Sequence, residues 1–256
     1  MSALLSCQDV SLAFAGVQAL DGVCLDVAEG SVVAIIGPNG AGKTSLFNSI
    51  SGVVRPQSGR VVFDGQDLVG EPSWRIAPRG IARMFQHPTL YPHLTTLENL
   101  LIGRHATYGT SWWQDLFWTR GARAEEVRHR AAVEEVIDFL ALERVRNTPV
   151  GILPYGLLKR IELGRALCMQ PRVVLLDEPA AGLNQEETED MARVILDLKE
   201  DLGVTVVLIE HDLRFVMDLA DRVAVLDFGQ RIAEGTPGEV RADPRVLAAY
   251  VGAEAS

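Results

Sequence analysis

Cysteines, long apolar runs and a basic excess are scarce or missing in this sequence. Its three cysteines, Cys7, Cys24 and Cys168, are widely spaced and form no CxxC pair, so we expect neither a disulfide framework nor a zinc site. No apolar run approaches the ~18–20 residues that span a bilayer. Met1–Ser11 lacks the basic start and apolar stretch of a signal peptide, which predicts a cytosolic protein.

The charge balance is acidic, with a net charge of −10 over 256 residues. This weakens the case for nucleic acid as the main partner, because binding a phosphate backbone requires a basic face. It also repels anionic lipid, so we expect any association with a membrane to run through a protein partner. A hydrophobic content of 48% is ordinary for a globular protein with a real core.

Short strand-like runs alternate with helical stretches along most of the chain. Two of these runs, Val173–Leu176 and Val204–Ile209, are almost entirely apolar, which is typical of strands buried on both faces of a parallel sheet. Helical stretches such as Lys43–Ser51 and Glu186–Leu202 separate the runs, and this alternation predicts a doubly wound α/β fold. The other strand-like runs are Leu4–Leu12, Ser31–Ile36, Arg60–Phe63, Ile81–Phe85 and Arg222–Leu226.

A second part of the sequence, His87–Leu153, contains no strand candidate. Helical periodicity marks Leu97–Arg104 and Glu125–Leu142, so we predict a helical subdomain over 87–153, inserted into an α/β core of 1–86 and 154–256 within one domain. The predicted apolar side of the second helix comprises Val127, Ala131, Val133, Val136, Ile137 and Leu140.

Between these helices, Ala106–Ala122 is irregular and aromatic, and it holds Trp112, Trp113, Phe117 and Trp118. These rings are either a satellite hydrophobic cluster that fixes a long loop or an exposed patch that meets another protein or the membrane interface.

A glycine-rich motif follows the strand-like run Ser31–Ile36. It has the P-loop pattern G-x-x-x-x-G-K-[ST] in the strand–loop–helix context that the motif requires. The glycines let backbone N–H groups face phosphates, Lys43 supplies a positive charge to the β- and γ-phosphates, and Thr44 offers a hydroxyl to Mg²⁺. The predicted nucleotide-binding residues of this segment are Gly37, Pro38, Asn39, Gly40, Ala41, Gly42, Lys43, Thr44 and Ser45.

Two acids, Asp177 and Glu178, follow the apolar run Val173–Leu176. They are predicted to lie at the carboxyl edge of the sheet, where sites of α/β proteins are found. Asp177 is a candidate for the Mg²⁺ shell, mainly through water. Glu178 is a candidate general base or water-orienting group.

Together these motifs resemble the ATP-binding subunits of ABC transporters, over essentially the whole chain. The resemblance implies a RecA-like P-loop NTPase core, a small N-terminal antiparallel β-part and an inserted α-helical subdomain. It also implies that Gln86 senses Mg²⁺ and the attacking water, that His211 contacts the γ-phosphate, and that Phe14, with Val17 as an alternative, stacks on adenine. The cofactors implied are ATP and Mg²⁺.

The signature element that such subunits carry corresponds to Leu153–Leu157. It departs from the common Leu-Ser-Gly-Gly-Gln, since Pro154 replaces the serine whose hydroxyl reaches the γ-phosphate held by the other subunit, and Leu157 replaces the glutamine. Tyr155 and Gly156 are expected to face that nucleotide. Ala180–Asn184 likewise lacks the usual Ser and Asp of the D-loop.

Within the family, the chain is most similar to subunits that serve importers of branched-chain and hydrophobic amino acids. The similarity rests on Glu178–Asn184, on Gly235-Thr236-Pro237 and on Tyr250-Val251-Gly252. It implies transmembrane permease subunits, a second ATP-binding subunit of the same or a related kind, and indirectly a substrate-binding protein. The location implied is peripheral, on the inner face of the cell membrane.

Other interpretations stay open at this point. They are an exporter ATPase such as that of lipopolysaccharide transport, a soluble ATPase of DNA repair or translation, and a scaffold that binds ATP without hydrolysing it. The intact Glu178 and His211 speak against the scaffold.

Overall fold

The computed structural model describes residues 3–104 and 120–254, with side chains for 3–104 and 127–250. The aromatic segment predicted around Trp112, Trp113, Phe117 and Trp118 lies outside the described residues. None of the described helices has the length and apolar character needed to cross a bilayer.

The described strands form two sheets. A four-stranded antiparallel sheet has the order β2-β1-β4-β5, and a six-stranded sheet has the order β10-β9-β3-β8-β7-β6. Within the larger sheet, only the β9–β10 pair is antiparallel. The strands are β1 (Leu5–Phe14), β2 (Val17–Val27), β3 (Val32–Ile36), β4 (Ser58–Phe63), β5 (Gln66–Asp67), β6 (Ile81–Met84), β7 (Val173–Asp177), β8 (Thr205–Ile209), β9 (Arg222–Asp227) and β10 (Gln230–Gly235).

Helices cover both faces of the larger sheet, as predicted for a doubly wound fold. The described α-helices are α1 (Lys43–Ile50), α2 (Ser73–Ile76), α3 (Thr96–Arg104), α4 (Arg120–Phe139), α5 (Tyr155–Leu167), α6 (Gln185–Glu200), α7 (Leu213–Leu219), α8 (Pro237–Ala242) and α9 (Pro244–Glu254). Short 3₁₀ turns occupy Ala77–Arg79, Glu143–Val145 and Val150–Ile152.

Two hydrophobic clusters sandwich the larger sheet. Alternate residues of β3 divide between them, with Ala34 and Ile36 in one cluster and Val33 and Ile35 in the other. A strand buried on both faces therefore has an unbroken apolar sequence. The second cluster also contains the inner face of the antiparallel sheet and Phe47 of α1, so it fixes the N-terminal β-part against the P-loop helix.

The predicted buried face of α4 is partly wrong. Val127 is 67% exposed and Ala131 is exposed, whereas His129 is 4% exposed. The buried face runs through His129, Val133, Ile137 and Leu140, each close to one helical repeat from the next, so hydrophobicity alone misplaced its first turn. The helix also begins and ends earlier than the predicted Glu125–Leu142.

Two of the three cysteines pack inside the fold. Cys7 and Cys168 are buried, and burial raises the pKa of each thiol to about 12. Both therefore act as small hydrophobic side chains.

The division of the chain into a core of 1–86 and 154–256 and a helical subdomain of 87–153 stays a prediction. Helix α5, which begins just after the predicted subdomain, packs against α3 and α4.

Candidate nucleotide-binding site

The glycine-rich loop connects β3 to α1 at the carboxyl edge of the larger sheet. Gly37 and Gly42 have φ angles of 145° and 100°, which L-residues with side chains rarely adopt. A Cβ at Gly37 would collide with the Leu226 carbonyl oxygen, and one at Gly42 with the Ala19 carbonyl oxygen. The loop therefore needs glycine at both positions to fit between β9 and β2.

Lys43 is folded back into this loop. Its side chain is buried, and Nζ donates to the carbonyl oxygens of Gly37 over 2.7 Å and Pro38 over 2.9 Å. Burial lowers the pKa of Lys43, while Glu178 and Asp177 act in the opposite direction. Beside it, Asn39, Gly40 and Thr44 are exposed, and Pro38 and Ser45 are partly exposed.

Asp177 ends β7 as a buried carboxylate with a partner that the sequence analysis missed. Arg83 Nη2 donates to Asp177 Oδ2 over 2.7 Å, and Arg83 Nη1 donates to Asn48 Oδ1 over 2.7 Å. The side chains of the ion pair are only 7% and 6% exposed. One signal was present in the sequence, because Arg83 interrupts the otherwise apolar strand Ile81–Met84.

Glu178 and Gln86 meet at this edge of the sheet. Gln86 Nε2 donates to Glu178 Oε2 over 2.6 Å. Glu178 has a φ of 50°, a left-handed conformation that is uncommon outside glycine and is often found at functional sites. This turn of the backbone follows the buried Asp177 and leaves Glu178 partly exposed.

His211 follows β8 with a side chain that is 64% exposed. The residue before it, Glu210, is buried and accepts the backbone N–H groups of His211 over 3.1 Å and Ala180 over 2.8 Å. Burial raises the pKa of Glu210, and those two hydrogen bonds oppose the shift. Glu210, also missed from the sequence, thus ties the segment after Glu178 to His211.

The proposed adenine-stacking residue lies at the end of the β1–β2 hairpin. Phe14 is 47% exposed and pairs with Val17, which is 71% exposed. β2 then passes the glycine-rich loop at Ala19, whose carbonyl lies next to Gly42. Both side chains are exposed, and stacking of either one on adenine stays a prediction.

The signature residues lie at the start of α5. Pro154 is the N-cap and Tyr155 the first helical residue. Tyr155 is 40% exposed, and a Cβ at Gly182 would lie 3.0 Å from its ring. Gly156 is buried, and a Cβ there would collide with the Glu187 carboxylate. Within the chain, Tyr155 lies against Gly182 and Gly156 lies against α6. Contact of these two residues with a nucleotide of a second subunit stays a prediction.

Comparison with known proteins decides the family. A family model described as ABC transporter matches residues 20–181, more than half of the chain. The chain belongs to the ABC transporter family. A second model, described as branched-chain amino acid ATP-binding cassette transporter, matches residues 230–256 of this ABC subunit.

Relatives of this ABC subunit align over nearly its full length. The high-affinity branched-chain amino acid transport ATP-binding protein BraF of Pseudomonas aeruginosa is 39% identical over 97% of this chain and 98% of its own. The corresponding protein LivG of Escherichia coli strain K12 is 36% identical over 97% and 98%. The chain thus falls in the branched-chain amino acid group of ABC transporter ATP-binding proteins.

Solved structures agree with the fold. A nucleotide-free ATP-binding cassette from an ABC transporter superposes with a TM-score of 0.85, at 35% identity over 97% of this chain and 98% of its own. A cassette in its ADP conformation gives 0.85 at 34% identity, over 98% and 100%. This chain therefore has the P-loop ABC ATPase fold, binds ATP and hydrolyses it to drive transport.

The donor set at the sheet edge is compatible with Mg²⁺. Within the described residues, no group of three or more His, Cys, Asp and Glu side chains is placed to hold a metal ion. One carboxylate, Asp177, and one hydroxyl, Thr44, are nevertheless the hard oxygen ligands that Mg²⁺ uses when water and substrate phosphates complete its shell.

Proposed function

We propose that this ATPase powers the import of branched-chain or other hydrophobic amino acids, or of related small carboxylates. The match of residues 230–256 to the branched-chain amino acid cassette model supports the proposal, as do the names of BraF and LivG. Cargo selection itself would belong to the permease and a substrate-binding protein.

The observation that carries the site proposal is the convergence of four side chains at one sheet edge, namely Lys43, Asp177, Glu178 and Gln86. In this proposal, the backbone N–H groups of Gly37–Ser45 hold the phosphates at the start of α1. Lys43 leaves its loop carbonyls to neutralise the β- and γ-phosphates, and Phe14 stacks on adenine.

Hydrolysis transfers the γ-phosphoryl group of ATP to water. Glu178 orients the water and accepts its proton, while the bond from the γ-phosphorus to its bridging oxygen breaks and a bond to the water oxygen forms. Gln86 holds Glu178 and the water in place, and the exposed His211 reaches the γ-phosphate. Thr44, Asp177 and Gln86 would hold Mg²⁺, which supplies further positive charge to the phosphates.

The partners proposed are a second ATP-binding subunit and transmembrane permease subunits, with no nucleic acid. Tyr155 and Gly156 would face the nucleotide of the second subunit. The permease would dock on the segment Gln86–Arg104, from the cytoplasmic side of the membrane. Within that segment Thr96 and Asn99 are fully buried, whereas Tyr91 is 54% exposed, so Tyr91 is the better candidate for the contact.

The hydrolysis proposal is tested by two substitutions with a matched control. Glu178→Gln is expected to retain ATP binding and to lower kcat by at least about a hundredfold, because the proton acceptor is lost. Lys43→Ala is expected to weaken ATP binding instead. Lys199→Ala, which removes a surface lysine paired with Asp221, is the control. Wild-type turnover in Glu178→Gln would contradict the base assignment.

The cargo proposal is tested in membrane vesicles that contain the assembled transporter and its substrate-binding protein. Uptake of radiolabelled leucine, isoleucine and valine should require ATP and stop with Glu178→Gln. ATP-dependent export would contradict import, and uptake of none of these three amino acids with an active ATPase would exclude branched-chain amino acids as the cargo. Either outcome leaves the hydrolytic site intact.

A further inference from the structure

A second lysine, Lys159, lies fully buried near the start of α5. Its Nζ donates to the backbone carbonyl of Gln86 and to the backbone carbonyl of Glu178, each over 2.8 Å. Burial lowers the pKa of Lys159, and surrounding carboxylates, led by Glu210, oppose this shift. Lysine is almost never fully buried without partners, so these two hydrogen bonds offset the cost of burying its ammonium group.

Both carbonyls belong to the residues whose side chains meet in the site. Gln86 follows β6 and Glu178 follows β7, and these strands are parallel neighbours. Their side chains are joined by the 2.6 Å hydrogen bond from Gln86 Nε2 to Glu178 Oε2. A single ammonium group therefore fixes both backbones from which this side-chain pair projects.

We propose that Lys159 is a positioning residue for ATP hydrolysis, which sets the separation of Gln86 and Glu178 by holding their two backbone carbonyls. The proposal rests on the roles given above to Gln86 and Glu178. Lys159 itself does not contact the reacting atoms, since it acts through the two residues that would.

The position of Lys159 also connects the pair to another part of the molecule. α5 begins at Tyr155, whose ring centroid lies 5.9 Å from the ammonium group, and α5 packs against α3 and α4. A displacement of α5 relative to the sheet would carry the ammonium away from one or both carbonyls. The rate of hydrolysis would then depend on the position of α5 relative to the sheet.

The first test is Lys159→Met in the full-length subunit, measured alone and in the assembled transporter. Methionine keeps the approximate length and removes the donors. We expect kcat to fall about ten- to a hundredfold, because a misplacement of about 1 Å at a catalytic group can cost about a hundredfold. KM for ATP should change less than about threefold, since the substitution does not alter Lys43 or the glycine-rich loop, which bind ATP.

The matched control is Lys199→Met. It also replaces a lysine that donates to oxygen atoms, those of Asp221 at 2.7 and 2.9 Å, but it does so on α6, outside the proposed catalytic machinery. Its kcat should equal that of the wild type. Lys159→Arg, which keeps charge and donors, should recover part of the activity that Lys159→Met loses.

A double-mutant cycle with Gln86→Ala separates positioning from simple stabilisation. If Lys159 acts by pairing Gln86 with Glu178, most of its effect on kcat should disappear once Gln86 is replaced, because coupled residues are non-additive. The inference is overturned if Lys159→Met lowers kcat by the same factor with Gln86 present and with Gln86→Ala. It is also overturned if Lys159→Met raises KM in step with a fall in melting temperature. If Lys159→Met does not fold, Lys159→Gln, which keeps N–H donors on a shorter side chain, replaces it in the cycle.

Glu178→Gln distinguishes this failure from that of the proposed function. An inactive Glu178→Gln alongside a fully active Lys159→Met would overturn the role of Lys159 alone. A fully active Glu178→Gln would instead remove the proposed general base.

Discussion

At the scale of single residues, Arg83 places a guanidinium in the middle of a strand that otherwise buries apolar side chains. Its ion pair with Asp177 and its hydrogen bond to Asn48 connect the acid after β7 to helix α1. Removal of one partner from a buried pair costs about 3–5 kcal/mol because it leaves the other charge unpaired. We therefore predict that Arg83→Ala lowers the free energy of unfolding by about that amount.

Urea unfolding followed by circular dichroism measures this effect. Arg83→Ala should cost much less in an Asp177→Asn background, where no carboxylate is left unpaired. Arg160→Ala, which removes a more exposed pair with Asp190, is the control and should have a small effect. An equal loss with and without the Asp177 carboxylate would show that the ion pair contributes nothing, and that Arg83 stabilises the fold through packing and its hydrogen bond to Asn48.

The residues of the site divide by how they can be recognised. Lys43, Thr44, Asp177 and Glu178 are predictable because the spacing of each motif and the apolar strand before it define their place locally. Arg83, Lys159 and Glu210 belong to no such motif, and each has at least one partner from a segment distant in the sequence. Their roles stay predictions, as do those of the motif residues, until the substitutions above are measured.

At the scale of elements, buried strands and the edge strand β6 were predictable, whereas the edge strands β2, β5 and β10 were missed. β3 is apolar throughout, and β7 and β8 are apolar apart from Asp177 and Thr205, because both faces of these strands are covered. β10, with the sequence QRIAEG, forms an edge of the larger sheet and buries little beyond Ala233 and Gly235. β2 was also missed, since its first half is largely exposed and only Val23, Leu25 and Val27 show the alternation of a half-buried strand.

The start of α6 has a complete capping box. Asn184 Oδ1 accepts the Glu187 backbone N–H, and Glu187 Oε2 accepts the Asn184 backbone N–H, each over 3.0 Å. The loss of such a cap costs about 1 kcal/mol. We predict that Asn184→Ala lowers Tm by about 2–4 °C for a chain of this size.

Differential scanning calorimetry measures this prediction, with Asn184→Asp as the control because aspartate keeps the acceptor oxygen. Glu187 also lies against the signature residue Gly156, so the capping box fixes a side chain that packs against the signature. If Asn184→Ala and Asn184→Asp had the same Tm as the wild type, the capping box would contribute nothing measurable to the fold.

At the scale of the whole molecule, the α/β class and the order of motifs along the chain followed from the sequence, but the pairing of strands did not. The sheet order β10-β9-β3-β8-β7-β6 brings Gln86 beside Glu178 although 92 positions separate them. The same sheet order sets the end of β8, and with it His211, next to the end of β7. Such juxtapositions depend on tertiary contacts that periodicity does not encode.

The altered signature can be tested in the proposed pairing of two ATP-binding subunits. Pro154 is the N-cap of α5 and makes no side-chain capping hydrogen bond, and Leu157 packs against the core cluster of its own chain. Leu157→Gln would therefore disturb packing as well as chemistry. Pro154→Ser is the cleaner change, because serine supplies a hydroxyl without displacing a packed side chain.

We predict that Pro154→Ser raises the ATPase kcat several-fold where two copies of this subunit face each other. The reason is that a hydrogen bond to a charged group contributes about 1.5–3 kcal/mol, and about 1.4 kcal/mol in the barrier is tenfold in rate. Serine also caps α5, so melting temperature must be measured beside kcat to separate stability from turnover. Pro154→Ala removes the proline without adding a hydroxyl and should leave kcat unchanged. If Pro154→Ser is no faster than Pro154→Ala, in the purified subunit and in the assembled transporter alike, the hydroxyl is not limiting and Tyr155, Gly156 and the start of α5 suffice for the signature.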